Sequence, residues 1–240
     1  MVKNEAYYGL PKEVKFCKKC VISNQRPNST VEFKSKNSEK KKVIDFDEEG
    51  VCSACRYNET KEVGIDWEER EKTLWKLCDK FRRNDGSYDV IIPGSGGKDS
   101  AFTAHVLKYK YGMNPLTVTW SPHLYTDIGW ENFENWMHVG GLDNILYTPN
   151  GKLHRLMTKN AFHNLLHPFQ PFIIGQRIIG PAMAKRFGVE LVMYGENQAE
   201  YGNSVDENNI PTMNYKFFSV DDPKEMLLGG VPMKDYIEKE

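Results

Sequence analysis

The chain has 240 residues, 40% of them hydrophobic and 27% charged, and a formal net charge of -1. Such a composition belongs to a folded globular protein with room for one α/β core and a small accessory module; near-neutral charge gives no reason to expect nucleic acid or an anionic membrane as partner. No run approaches the roughly 20 apolar residues that cross a bilayer, and the N-terminus lacks the apolar stretch of a secretory signal, so a cytoplasmic protein without membrane insertion is expected.

Residues 1–65 are polar and lysine-rich, and they carry four of the five cysteines as Cys17-Lys18-Lys19-Cys20 and Cys52-Ser53-Ala54-Cys55. This stretch cannot bury much of a core and needs another staple. Two C-x-x-C knuckles are the pattern that holds zinc (Zn2+) in closed tetrahedral geometry, a structural site whose metal supplies folding energy. Thiol redox chemistry is the competing reading, and four thiolates at matched spacing favour metal over it. Cysteine ligands alone do not separate zinc from an iron–sulfur cluster. The run Lys34 to Lys42 reads as a solvated loop tip.

From Asp66 the pattern changes, and residues 66–240 are expected to form one further domain. Asp66 with Glu69 three residues on predicts a capped helix whose inward face carries Leu74, Leu77, Cys78 and Phe81. Strands are predicted at Val90 to Ile92, Leu116 to Trp120, Asn144 to Tyr147 and Val189 to Tyr194, and helices over Ser100 to Tyr111 and Gln176 to Phe187, with Gly112 and Gly188 as stops. Strands separated by helices predict an α/β fold, a parallel doubly wound sheet with helices on both faces and ligands at the carboxyl ends of the strands.

Between the first strand and its helix lies Pro93-Gly94-Ser95-Gly96-Gly97-Lys98-Asp99-Ser100. Amides at a helix start lack intrahelical acceptors and sit at the positive end of the helix dipole, so they suit phosphate. Gly94, Gly96 and Gly97 let the backbone approach it, Ser95 and Ser100 add hydroxyls, and Lys98 adds charge. Asp99 makes sense as an oxygen ligand for phosphate-bridging magnesium (Mg2+). A Walker loop would need glycine at Ile92 and a hydroxyl at Asp99, and a dinucleotide fingerprint would need glycine at Asp99, so both fail. The segment resembles the S-G-G-x-D-S signature of the PP-loop ATP pyrophosphatases, which implies a loop that holds the β,γ-pyrophosphate of ATP while it is cleaved to AMP and pyrophosphate.

Phe46-Asp47-Glu48-Glu49-Gly50-Val51-Cys52-Ser53-Ala54-Cys55 ahead of this loop, with Tyr125-Thr126-Asp127-Ile128-Gly129, Thr148-Pro149-Asn150-Gly151, Tyr194-Gly195-Glu196-Asn197 and Glu200-Tyr201-Gly202 behind it, resembles the N-acetyl sugar amidotransferase family of bacterial surface-glycan biosynthesis (lipopolysaccharide O-antigen or flagellin glycan). The resemblance spans nearly the whole chain. It implies adenylation of the acetamido oxygen of a sugar by ATP and replacement of that oxygen by ammonia, giving an acetamidino sugar. Lys98 and Asp99 would act on the phosphates, and Gly195 and Asn197 would lie at the nucleotide. Glu196 would orient or deprotonate ammonia, with helix capping an equal alternative for Glu196 and Asn197. The resemblance also implies a longer chain than one ending at Glu240. With no glutaminase triad visible, ammonia is expected from a separate glutaminase subunit.

Two other classes remain. A tRNA-thiolating PP-loop enzyme would share the zinc module and the loop, but thiolation calls for cysteines near the ATP site and none follows Cys78. A non-catalytic scaffold would not require an intact phosphate loop. The six histidines form no H-E-x-x-H set. His154 and Arg155 could reach a phosphate or a sugar, with loop polarity as good an explanation. Trp130, Phe133 and Trp136 read as packing residues.

Overall fold

The computed structural model describes residues 9–27, 40–196, 218 and 226–237. They fall into two compact units, one running to Glu71 and one comprising Lys72–Glu196 with the described residues after Met213.

In the first unit the isolated antiparallel bridges Phe16–Ser23, Pro27–Val43 and Phe46–Cys52 stand in for longer strands, and helix α1 (Ser53–Val63) follows. Its apolar core among the described residues is small: buried Cys17, Val51 and Cys52 against Ile22, Ile44, Phe46 and Cys55. Gly50 turns the chain at φ +82° between Asp47 and Cys52. The Asp47 carboxylate accepts from the Val51 amide at 2.8 Å, and Gly50 O accepts from the Lys18 amide at 3.1 Å, which ties one knuckle to the turn before the other.

Helix α2 (Trp67–Phe81) opens with the expected cap, the Glu69 amide donating to Asp66 Oδ1 at 3.0 Å. Cys78 is fully buried, but Leu77 is 36% exposed. Successive helical residues point about 100° apart, and the core takes Cys78 rather than its neighbour. Trp75 makes the flanking contact instead, edge-on to Tyr111 at 4.7 Å.

Strands β1 (Val90–Pro93), β2 (Pro115–Trp120), β3 (Asp143–Tyr147) and β4 (Leu191–Val192) form one parallel sheet in the order β3-β2-β1-β4. Three match the expected strands to within a residue or so. The fourth keeps a ladder of two residues, although the Met193 amide still donates to Ile91 O at 2.9 Å. Beyond it the chain bends toward the start of the next helix described, α3 (Lys98–His105), rather than running on along β1.

Alternate residues of β1 enter different cores, as the strand period requires. Val90 and Ile92 pack with Cys78, with Ala104 of α3, with Leu107, and with Phe133 and Trp136 of α4 (Asp127–His138). Ile91 packs with Leu116, Val118 and the Ile179 and Ala184 side chains of α6 (Gln170–Phe187). Helices therefore cover both faces, and the fold is the α/β arrangement expected. The helix over Ser100 to Tyr111 begins earlier, at Lys98. It widens into a π turn at Val106–Lys110, with the Tyr111 amide bonded to Val106 O at 3.1 Å, before Gly112 leaves it at φ +63°.

Helix α6 starts six residues before the expected Gln176. Pro171 occupies its first turn, where a missing N–H costs nothing. Gly175 lets the Trp120 indole approach so closely that a Cβ would stand 2.1 Å from the ring. Pro181 sits inside this helix and cannot donate to the Arg177 carbonyl. The Tyr194 hydroxyl donates there instead, at 3.2 Å. Helix α5 (Gly151–Leu165) is capped by Asn150, whose Oδ1 accepts from the Lys152 and Leu153 amides.

The hairpin β5 (Leu227–Leu228) and β6 (Val231–Pro232), followed by α7 (Met233–Ile237), packs on α5 and α6. Buried Gln170 grips it with both ends of one amide, donating to Leu227 O at 3.0 Å and accepting from the Gly229 amide at 2.8 Å. No helix among the described residues is long and apolar enough to cross a membrane.

Candidate active site

The sheet order reverses between β1 and β4, so the crevice at their carboxyl ends is the topological switch point of this fold. The segment 93–100 fills one wall of it. Pro93 ends β1, and the Gly94 amide continues the ladder by donating to Val118 O at 3.0 Å. A Cβ on Gly94 would stand 2.3 Å from Ser100 Cβ and 3.0 Å from the Trp136 ring. Gly96 turns at φ +82°, and a Cβ there would meet the backbone of Asn132 and Phe133 at 2.9 Å. Two of the three loop glycines are thus required by close packing and, at Gly96, by a left-handed φ. Gly97 is different: nothing lies within 4 Å of its Cβ position. It faces open space together with exposed Ser95, Lys98 and Asp99.

Helix α3 begins at this open edge, and its first internal bond runs from the Ala101 amide to Gly97 O at 2.9 Å. The helix supplies no carbonyl to the amides of Lys98, Asp99 and Ser100, which is the arrangement that attracts an anion. Ser100 Oγ donates to Gly97 O at 3.1 Å, so its one hydrogen stays inside the loop. The Lys98 ammonium reaches both Asp99 oxygens, at 2.6 and 2.8 Å, with 86% and 48% of the two side chains exposed. A solvent-facing pair of this kind holds its partners weakly and exchanges readily. It puts an ammonium and a carboxylate at the mouth of the loop, where phosphate oxygens would suit the one and a magnesium ion the other.

Gly195 forms the opposite wall. A Cβ there would stand 2.6 Å from both the carbonyl carbon and the oxygen of Asp99, and 2.7 Å from the Ser100 nitrogen. The residue after β4 is therefore pressed against the first turn of α3, and only glycine fits. Tyr194 aims its hydroxyl back at α6. A Cβ on Gly180 would come within 2.9 Å of that hydroxyl and 2.5 Å of Pro93. The Gly180-Pro181 notch thus receives both strand ends that carry the crevice. Burial pushes the Tyr194 phenol up, so it stays protonated as the donor this contact needs. Glu196 is exposed and follows Gly195 directly, and Asn197 lies outside the described residues. The structural parts of Gly180, Pro181 and Tyr194 were missed in the sequence; the one available signal was a proline inside an otherwise helical pattern.

In the first unit Cys17, Cys20, Cys52 and Cys55 bring their sulfurs within 4.8 Å of one another. Cys17–Cys55 and Cys20–Cys52 are 3.9 and 3.7 Å apart. A tetrahedron with 2.3 Å zinc–sulfur arms has edges of about 3.8 Å, so the set fits zinc. Cys17 Sγ accepts from the amides of Lys19 and Cys52, both at 3.3 Å. Burial pushes the Cys17 thiol up, but backbone donation from Cys52, Lys19 and Cys20 outweighs it and brings the thiol down to about 6. Cys55 is pushed up to about 12, chiefly by its bond with Cys20 and then by burial. Without a cation the thiolate is favoured at Cys17, while Cys52 and Cys55 are pushed toward the neutral thiol; a divalent metal would take all four as thiolates and release protons.

No family model matches the chain. An uncharacterized protein of Methanocaldococcus jannaschii is 30% identical over 81 residues, which are 34% of this chain and 28% of that protein. Among solved structures, an NH3-dependent NAD synthetase from Campylobacter jejuni is similar with a TM-score of 0.45 and 16% identity, over 57% of this chain and 59% of its own. An NMN synthetase from Francisella tularensis gives 0.43 and 16%, over 56% of each chain. The chain spans 28% of the length of the curated relative it matches.

Proposed function

We propose that this chain is a PP-loop enzyme that splits ATP to AMP and pyrophosphate in order to exchange the oxygen of an acetamido group on a sugar for nitrogen. What carries the reading is the open edge 95–99, where the first turn of a helix, an ammonium and a carboxylate meet at the switch point of a parallel sheet, closed from the other side by Gly195. The acetamido sugar as substrate follows from the motif resemblance set out above.

Amide oxygen is a poor leaving group, and ammonia alone does not displace it. Attack of that oxygen on the α-phosphorus of ATP releases pyrophosphate and leaves an imidate carrying AMP. Ammonia then adds to the imidate carbon, and AMP departs. Lys98 and the loop amides of α3 would hold the pyrophosphate as its charge builds, and Asp99 would hold Mg2+, which supplies further charge neutralisation there. Glu196, at the crevice mouth, would orient ammonia or take its proton. Ammonia would come from a separate glutaminase subunit, and the four cysteines would hold one structural zinc.

The products decide the matter. With acetyl-¹⁸O sugar, ATP and ammonia, label should end in AMP and never in pyrophosphate, and the sugar should gain one nitrogen and no sulfur. Asp99→Asn should lower magnesium-dependent turnover while leaving unfolding unchanged. ADP and orthophosphate in place of AMP and pyrophosphate would remove the PP-loop reading altogether, and sulfur in the product would transfer the case to thiolation.

A further inference from the structure

A cleft of about 420 Å³ opens between the first three turns of α5 and the corner where β6 passes into α7. All of it belongs to the unit that carries the phosphate loop. Its size is that of a small-ligand site, roughly 300–1,000 Å³. Helix α5 follows β3, so the cleft begins at the carboxyl end of the sheet, the end that also carries segment 93–100. It shares no residue with that segment or with Gly195.

Part of the lining is apolar. Leu153 and Leu156, three positions apart, share one face of α5, and Val231 joins them from β6. Tyr236 of α7 adds a wall whose orientation is fixed through its hydroxyl, which donates to Leu228 O at 2.8 Å and accepts from Asn160 Nδ2 at 2.9 Å. The rest of the lining is polar and of both kinds. Asn150 Oδ1 is committed to the amides of Lys152 and Leu153, so its Nδ2 is the part left to donate. Asn160 is the reverse case: its Nδ2 is held by Tyr236, and its Oδ1 is left to accept. Lys152 and half-buried Asp235 complete the set. Neither side chain forms an ion pair or a hydrogen bond with another described residue, although both line the same cleft.

We infer that this cleft is a saccharide subsite, in which the hydroxyls of a neutral sugar meet Asn150 Nδ2, Lys152, Asn160 Oδ1 and Asp235 while its C–H face lies on the leucines and Val231. A sugar hydroxyl both donates and accepts, so one ring uses two donors and two acceptors together. Other ligand classes fit less well. A phosphate or carboxylate would meet the Asp235 carboxylate, a cation would meet the Lys152 ammonium, and a wholly apolar ligand would strip water from both charges without replacing it. A free amino acid would answer both charges but leave the two carboxamides unused. That the saccharide is the non-reacting part of the acetamido-sugar substrate rests on the proposed function; the subsite itself does not.

The test is a titration of protein ¹³C-labelled at its leucine and valine methyls. The probes are N,N′-diacetylchitobiose and maltose as neutral disaccharides, with glutamine and inorganic phosphate as charged comparisons. At least one disaccharide should shift the methyls of Leu153, Leu156 and Val231 while those of Leu116 and Val118, in the sheet core, stay in place. Lys152→Ala and Asp235→Ala should each weaken that disaccharide about tenfold, as loss of a hydrogen bond to a charged group does. The inference is overturned if that pattern is absent with both disaccharides, if glutamine or phosphate produces it at lower concentration than either, or if either variant binds the disaccharide as the parent does. Should a variant misfold, the wild-type titration decides. No turnover is read, so the two readings fail separately. Failure to form AMP would remove the substrate assignment and leave the subsite, whereas unmoved methyls in a protein that makes AMP and the amidine would remove the subsite alone.

Discussion

Gly195 is where a single atom would do most damage. A methyl group there meets the Asp99 carbonyl and the Ser100 nitrogen, both backbone, so the strain passes into the phosphate loop rather than into a side chain that can turn away. Gly195→Ala should cost on the order of 1–3 kcal/mol of stability, typical of overpacking. Because small misplacements of reacting groups cost about 100-fold in rate, AMP formation should fall by that order while the variant remains folded in circular dichroism. An unaltered rate would mean that the loop tolerates displacement. His154 makes a prediction of another kind. Its folded pKa lies below the usual histidine value, first because of burial and then because of His123. The unfolded chain therefore binds the proton more readily, and the associated stability is present above the usual histidine range and lost as pH falls through it. Urea midpoints should drop between pH 7.5 and 5.5, and the drop should be smaller in His154→Gln. An equal drop would assign the effect elsewhere.

Among the elements, α6 is governed by its least helical residues. Pro181 removes one internal bond, and the Tyr194 hydroxyl replaces it from across the sheet. Tyr194→Phe should cost about 1 kcal/mol in urea unfolding, the net contribution of one intramolecular hydrogen bond. In a Pro181→Ala background, where residue 181 can donate again, the same change should cost much less. Equal costs in both backgrounds would detach Tyr194 from the proline. The cysteine knuckles form the other element held by few contacts. One tightly bound zinc per chain is expected by elemental analysis, and a strong chelator should lower the melting temperature. Cys17→Ser should reduce stability more than the specific activity of the molecules that stay folded. Iron in place of zinc, or no metal, would refute the assignment.

Legibility at this scale followed locality. The apolar runs of β1 to β3, the glycine loop after β1 and the Asp66 cap are complete within a few residues, and each lies where its sequence put it. Helix α4 was not read because Gly129 and aromatic residues on several sides hide its period, and α5 because only its cap, Asn150, carries a strong signal. The first turns of α6 look broken by Pro171 and Gly175 until the chain supplies a first turn for one and the Trp120 indole for the other. The Trp120–His154 pair joins residues 34 positions apart through their ring edges, a contact no window of sequence contains.

Taken whole, the chain assigns different stabilising devices to its two units. The unit that carries the phosphate loop has apolar cores on both faces of a sheet, whereas the cysteine unit has a handful of apolar side chains around four sulfurs. Within that smaller unit, Pro27 and Val43 are bridged directly to each other, outside the sulfur cluster. The bridge holds the chain that leaves one knuckle beside the chain that enters the other, and it does so without calling on any sulfur. Removing the metal should therefore loosen the knuckles before it parts Pro27 from Val43, a sequence of events that hydrogen exchange at the described amides would resolve.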